Sequence, residues 1–411
     1  MARVTLIVAD SLGVGEMPDA AAWGDAGADT LGHIAATRLR DQGPLVLPHL
    51  ARLGLASIRP IPGVPAPAIV EGAYGKMATA GDGKDTITGH WELAGCRVGE
   101  RFQTYYDGFP AALMEAFTAR TGAGWIGNVA ASGTEIIERL GAEHVATGKV
   151  IVYTSADSVF QVAAHESVLS VADLWRLCKQ AFDVVRAWGI ARVIARPFVD
   201  APPSQGAGAY LRTENRRDFA LQPPRDTVMD RLLAKGIPTT SIGKIQSIYG
   251  DRGFKTAVKA GNNATITQAI LDTLDTQPDG LIFANLVDFD MLYGHRRDPV
   301  GYARALEALD ARIPELLARL GPEDLLLITA DHGNDPTFPG SDHTREYVPV
   351  LAWARGVGAV DLGLRTTLAD CGATAGAWLG VECPEGRSFA EALRPTASPR
   401  APEPLRPTES P

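Results

Sequence analysis

Along the chain, short apolar runs alternate with stretches whose apolar residues recur every three or four positions. Val4–Ala9 is β-rich, almost wholly apolar, and stops at Asp10. Leu281–Val287 runs likewise into Asp288 and Asp290, and Leu325–Ala330 into Asp331. Runs of this kind, without polar alternation, suit strands covered on both faces, as in a parallel sheet. Between them, residues 301–320 place Leu306, Leu309, Ile313 and Leu317 on one helical stripe, and residues 263–274 read as a second helix. Strands alternating with helices predict an α/β sheet with helices on both faces. In such sheets ligands gather beyond the carboxyl ends of the strands, where Asp10, Asp290 and Asp331 fall.

From about Val98 to Leu221 the pattern changes. Short strands and helices follow closely, among them 149–154, 172–188 and 191–195, with Arg196-Pro-Phe and Arg212-Thr213 nearby. This predicts a second domain, residues 98–221, inserted into a core formed by 1–97 and 222–392. Residues 391–411 hold six prolines and almost no apolar side chains, which predicts a disordered tail over 393–411.

Composition narrows the function. The 411 residues leave room for two or three domains. At 45% hydrophobic and 21% charged, the chain has an ordinary globular make-up and needs no disulfide or structural metal merely to fold. A formal charge of -9 argues against a nucleic-acid binder, which would show a basic footprint. Cys96, Cys178, Cys371 and Cys383 follow no CxxC spacing and read as thiols of a reducing compartment. No run approaches the ~18 apolar residues of a membrane span. The N-terminus lacks a secretory apolar region, so a cytoplasmic protein is expected.

Three clusters carry candidate chemistry. Thr329-Ala-Asp331-His332-Gly-Asn-Asp offers oxygen and nitrogen ligands at a strand end, with His343 eleven residues further on. Asp288-Phe-Asp290 precedes Gly294-His295, and both carboxylates point the same way if the strand continues. Asp10-Ser11-Leu-Gly13-Val-Gly15 ends the first strand; its GxG is too short for a nucleotide loop, and Ser11 reads as a cap. Three carboxylates in one cleft would repel and raise one another's pKa. Two divalent cations remove that difficulty, and oxygen and nitrogen ligands without thiolate suit Mn²⁺ or Zn²⁺. Gly83-Lys84-Asp85-Thr86-Ile-Thr88-Gly-His90 adds two hydroxyls in a glycine-bounded loop. A threonine hydroxyl is a poor nucleophile until a base or metal activates it. The plainer alternative there is a helix capped by Thr86 or Thr88.

These strings, with Thr154-Ser-Ala-Asp157-Ser-Val and Asp342-His343-Thr-Arg-Glu-Tyr-Val-Pro, resemble the phosphopentomutase family of the alkaline phosphatase superfamily, from Met1 to about Leu393. The resemblance implies an alkaline phosphatase-like core with a central, mostly parallel sheet, and a smaller inserted α/β cap. It implies interconversion of ribose 1-phosphate and ribose 5-phosphate, and of the 2-deoxyribose pair. Two Mn²⁺ ions are implied, one on Asp10, Asp331 and His332 beside the Thr86 oxygen, the other on Asp290, His295 and His343. Thr86 is the implied phosphorylated residue, primed by a sugar bisphosphate such as glucose 1,6-bisphosphate. Asp157, Arg196, Arg212 and Lys244 are implied to hold sugar and phosphate. Arg217 stands where the family pattern has His and receives no role. The alternative is a metal-dependent phosphomonoesterase or phosphodiesterase on the same ligands. A phosphoglycerate mutase, whose nucleophile is typically Ser, is disfavoured by the Gly83-Lys-Asp-Thr86 string.

Overall fold

The computed structural model of the chain describes residues 2–99, 102–155, 158–202 and 208–394. Asp157 and residues 395–411 lie outside the described residues. The strands, in chain order, are β1 (Arg3–Ala9), β2 (Ala73–Met77), β3 (Trp125–Ala130), β4 (Val150–Thr154), β5 (Val159–His165), β6 (Arg192–Asp200) and β7 (Tyr210–Arg212). They continue with β8 (Arg217–Ala220), β9 (Thr239–Ile242), β10 (Thr256–Val258), β11 (Gly280–Leu286), β12 (Leu325–Thr329), β13 (Val348–Ala354) and β14 (Val360–Arg365).

Eight of them form one sheet in the order β10-β9-β11-β1-β12-β13-β2-β14. β1, β11 and β12 are buried at every residue, the physical counterpart of their unbroken apolar runs. All neighbours pair parallel except β13, which runs antiparallel to both β12 and β2. Val8 pairs with Asn285 on one side and Thr329 on the other, so Asp10, Asp290 and Asp331 all leave the sheet at one edge. β13 begins at that same edge because it runs the other way. The segment before it, His343 to Glu346, is therefore delivered there too.

The helix Pro299–Ala318 covers one face, capped by Asp298, whose side chain accepts from the Gly301 N–H. It buries Tyr302, Leu306, Leu309, Ile313 and Leu316, with Leu317 partly buried against the same core. Each such fully buried leucine or isoleucine contributes ~1.5–3 kcal/mol. The helix Asn263–Thr276 starts at a capping box of Asn262 and Thr265.

The contiguous stretch between residues 125 and 220 builds a second sheet, β3-β4-β5-β6-β7, with β8 also paired to β6. Alternate residues of β4 face opposite ways. Val150 and Val152 pack with Phe117 and Leu174 of the helices Ala111–Thr121 and Val171–Val185, while Ile151 and Tyr153 pack with Ile136 and Ile137 of the helix Gly133–Thr147. The sheet thus has apolar layers on both faces. Residues 172–188 divide into that helix and a short 3₁₀ turn, Arg186–Trp188, and the strand expected over 191–195 extends to Asp200.

Candidate functional site

Each of the three central strands ends in a ligand-bearing turn. After β1, Ser11 takes a left-handed backbone conformation (φ 70°) and donates its N–H to Asp331 Oδ1 at 3.1 Å. Ser11 is therefore a bridge between two strand ends and not the helix cap its sequence suggested. After β11 the strand does not continue, so Asp288 and Asp290 diverge. Asp288 exchanges two hydrogen bonds with Asn263: Oδ2 accepts from the Asn263 N–H at 2.8 Å, and the Asp288 N–H donates to Asn263 Oδ1 at 2.9 Å. A π-helical turn, Phe289–Gly294, carries Asp290 the other way, toward His295. Such turns often mark functional positions.

Three imidazoles meet these carboxylates in one orientation. His332 Nδ1 lies 3.1 Å from the Gly333 carbonyl, His295 Nδ1 2.8 Å from the Ser341 carbonyl, and His343 Nδ1 2.9 Å from the Lys84 carbonyl. A carbonyl only accepts, so each Nδ1 carries a proton and each Nε2 is the ring nitrogen turned toward the carboxylates. His332 Nε2 lies 3.7 Å from Asp10 Oδ1 and 3.3 Å from Asp331 Oδ2. His295 Nε2 lies 3.1 Å from Asp290 Oδ2, and His343 Nε2 3.4 Å from Asp290 Oδ1. The two Nε2 atoms of His295 and His343 are 3.1 Å apart. The ligand atoms of Asp10, Asp331 and His332 lie within 4.8 Å of one another, as do those of Asp290, His332 and His343.

The carboxylates are buried and crowded. Burial pushes the Asp10 carboxyl well above its ordinary range, and the charges of Asp331 and Asp290 push it further. Burial opposes ionisation of Asp290 too, but His295 and His343 outweigh it and hold this group well below its usual range. At Asp331 burial is again outweighed, by His332 and His90, and the carboxyl is held down at about 2. Asp10 Oδ1 is buried with no hydrogen-bond donor, and Asp331 Oδ2 faces His90 Nδ1 at 3.0 Å and His332 Nε2 at 3.3 Å. Leaving a buried polar atom without a partner costs ~1–3 kcal/mol. Buried carboxylate oxygens facing imidazole nitrogens fit divalent cations of oxygen and nitrogen preference.

Thr86 opens the helix Thr86–Leu93, which starts where the Asp85 side chain accepts from the Ile87 and Thr88 N–H groups. Asp85, not either threonine, is the cap. Thr88 Oγ1 donates to Asp85 Oδ2 at 2.8 Å and is committed to the helix start. Thr86 Oγ1 instead lies 3.2 Å from His332 Nε2. His90, one turn on, has Nδ1 2.8 Å from the Thr86 carbonyl, and its Nε2 accepts from Asn285 Nδ2 at 3.0 Å.

A cleft partly open to solvent, with a cavity volume of about 100 Å³, lies over this cluster. Thr86, Lys244, His343 and Phe102, which packs against Trp91, line it from the part built on the eight-stranded sheet, and Ser158 and Arg192 from the segment carrying the second sheet. Lys244 thus stands where it was expected. Arg196 and Arg212 do not line this cleft. Arg196 donates to Gln161 Oε1 at 3.2 Å, and burial, then Arg216 and Arg212, lower its pKa to about 10. Ser158 and Arg192 were not singled out from the sequence. The available signal was Arg192 standing four residues before Arg196 on one strand, hence on the same face. Arg217 lies over the Trp175 and Phe219 rings, at 4.9 and 5.3 Å from their centroids.

The arrangement defines a class before it defines an activity: an α/β protein with a carboxylate–imidazole cluster that could hold metal ions at the carboxyl edge of its sheet. In keeping with this, residues 2–383 match the Metalloenzyme superfamily, which implies a divalent metal. The chain belongs, within that class, to the phosphopentomutases, and is an isomerase of that family. It is 51% identical to a phosphopentomutase of Anaeromyxobacter sp. (strain K) over 391 residues, covering 94% of this chain and 98% of that protein. It is 52% identical to a phosphopentomutase of Symbiobacterium thermophilum over 396 residues, covering 95% and 98%. Among solved structures, alkaline phosphatase from the Antarctic bacterium TAB5 is similar at 10% identity and a TM-score of 0.36, over 92% of this chain and 98% of that one.

Proposed function

We propose that the chain interconverts ribose 1-phosphate and ribose 5-phosphate, and the 2-deoxyribose pair, by way of a phosphothreonine at Thr86. The observation that carries this reading is the shared orientation of three imidazoles. His295, His332 and His343 each tie Nδ1 to a main-chain carbonyl and turn Nε2 toward buried carboxylates, one of them 3.2 Å from the Thr86 hydroxyl. Asp10, Asp331 and His332 would hold one divalent cation, and Asp290, His295 and His343 the other; Mn²⁺ is the ion we assign. Bound there, the pair offsets the carboxylate charge and stabilises the non-bridging oxygens of a transferring phosphoryl group.

The residues of the chain do the rest. Thr86 begins a helix, where the partial positive charge of the first turn favours a phosphate. In the first half reaction the phosphorus–oxygen bond at Thr86 breaks as one forms to the free hydroxyl of the sugar monophosphate. That hydroxyl's proton is, in net terms, exchanged for the phosphoryl group. The resulting bisphosphate reorients and returns its other phosphoryl group to Thr86. Lys244 and Arg192 supply positive charge across the cleft for the distal phosphate, with Asp157 a further ligand of the sugar phosphate. The residues 98–221 act as a cap that excludes water, because a phosphothreonine open to water is a phosphatase intermediate.

Treating the Mn²⁺-loaded protein with glucose 1,6-bisphosphate tests this directly. Intact-mass analysis is expected to show one added phosphate, mapping to Thr86 after proteolysis. No phosphoprotein, or phosphate at another residue, would contradict the reading.

A further inference from the structure

Gly13-x-Gly15 is too short for a nucleotide loop, and the mechanism above gives it no task. The structure shows what it accommodates. Glu346, only 2% exposed, projects under the turns that carry the metal-site residues. Its Oε2 accepts from the Gly15 N–H at 3.1 Å and the Thr30 N–H at 2.9 Å. Its Oε1 accepts from the Thr30 hydroxyl at 2.6 Å and the Thr344 hydroxyl at 2.7 Å. A Cβ on Gly13 or on Gly333 would overlap this carboxylate, so both glycines make room for it. Burial pushes the Glu346 carboxyl up to about 7, and the donated hydrogen bonds act against that rise.

The direction of these bonds propagates. Each hydroxyl has one proton, and both protons are committed to Oε1. The oxygens are left to accept: Thr30 Oγ1 from the Asn334 N–H and Thr344 Oγ1 from the Asp335 N–H, each at 3.2 Å. Those two amides belong to the turn that begins with His332. Asn334 also donates its side-chain amide to Asp290 Oδ1 at 2.7 Å. One buried carboxylate thus fixes three segments against each other: the loop after Asp10, the start of the helix Thr30–Gln42, and the turn 332–335.

We propose that Glu346 is a positioning residue for the metal centre, its carboxylate setting the hydrogen-bond polarity that holds His332 and Asn334 against the Asp10 loop. The inference rests on the reading of Asp10, Asp290 and His332 as metal ligands. Glutamine does not reproduce this arrangement. Its NH₂ would face either the two main-chain N–H groups or the two hydroxyls, whose protons would then lose their shared acceptor.

The test is Mn²⁺ binding by calorimetry on wild type, Glu346→Gln, Thr344→Val and Thr344→Ser, alongside kinetics. Glu346→Gln is expected to bind Mn²⁺ ~10–100-fold more weakly, the range found when an outer partner of a metal ligand is removed. Thr344→Val loses one arm and falls between, and Thr344→Ser, which keeps the hydroxyl, stays near wild type. With excess Mn²⁺, kcat of Glu346→Gln recovers while KM for ribose 1-phosphate stays within ~twofold of wild type. Wild-type Mn²⁺ affinity in both Glu346→Gln and Thr344→Val would overturn the proposal, whatever their thermal stability. If Glu346→Gln does not fold, Thr344→Val decides. Failure of the wild type to form ribose 5-phosphate would instead contradict the functional reading, and the Mn²⁺ comparison would still stand.

Discussion

Thr86 and Thr88 sit on one helical turn, yet their hydroxyls have different fates. Thr88 Oγ1 is tied to Asp85, while Thr86 Oγ1 faces His332. Thr86→Ala is expected to abolish turnover and phosphoprotein while Mn²⁺ binding survives; full mutase activity in it would remove Thr86 from the mechanism. Thr88→Ala should still be phosphorylated to wild-type extent, with a stability loss of ~1 kcal/mol from a weakened helix start, read by thermal denaturation. At this scale the sequence was informative where chemistry follows a strand end, as at Asp10, Asp331 and His332. It was silent where partners are main-chain atoms. Nothing in the order of residues shows that the Lys84 and Ser341 carbonyls set the tautomers of His343 and His295. Nor does it separate Asp288 from Asp290, because their divergence depends on Asn263, twenty-five residues away in the chain. Glu346 escaped notice for the same reason, since Gly15 and Thr30 lie 331 and 316 residues away in the chain.

The elements hold these residues by close approach. A Cβ on Gly89 would run into the Asp331 carbonyl, so the helix Thr86–Leu93 lies directly against the end of β12. Gly89→Ala is therefore expected to cost ~1–3 kcal/mol by overpacking and to lower turnover by moving Thr86 from the metal ligands. Unchanged thermal stability and kcat would contradict that packing role. In the second sheet, burial holds His144 below its ordinary pKa, its Nδ1 lying 2.7 Å from the Lys149 carbonyl and its Nε2 accepting from the His165 N–H at 2.8 Å. The folded protein then binds fewer protons than the unfolded one. The His144 contribution is present above the unfolded pKa of ~6.5 and is lost as pH falls below it. Amide exchange of β4 and β5, corrected for intrinsic rates, should show protection falling from pH ~7.5 to ~5.5, and His144→Gln should flatten the fall. An equally steep fall in that variant would contradict the assignment. The buried strands β1, β11 and β12 were legible because burial on both faces leaves no polar alternation. The reversed direction of β13, which brings His343 to the site, was not, because strand direction is set by long-range pairing.

At the scale of the molecule, an acidic chain of net charge -9 handles an anionic substrate class. The balance is local: Lys84, Lys244 and Arg192 line the cleft together with Asp85, Asp290 and Asp342, so its lining carries as many cations as carboxylates. No helix among the described residues is long and apolar enough to cross a membrane. The cleft is lined from both the part built on the eight-stranded sheet and the segment carrying the six-stranded one, so in the proposed function the candidate metal ligands and the water-excluding cap come from different parts of the chain. On that proposal, the division is what separates a mutase from a phosphatase built on the same ligands. The most direct test is to incubate the protein with Mn²⁺, a catalytic amount of glucose 1,6-bisphosphate and ribose 1-phosphate, and to follow sugar phosphates and free phosphate together. Ribose 5-phosphate forming without stoichiometric free phosphate is the predicted result. Free phosphate as the main product would contradict it.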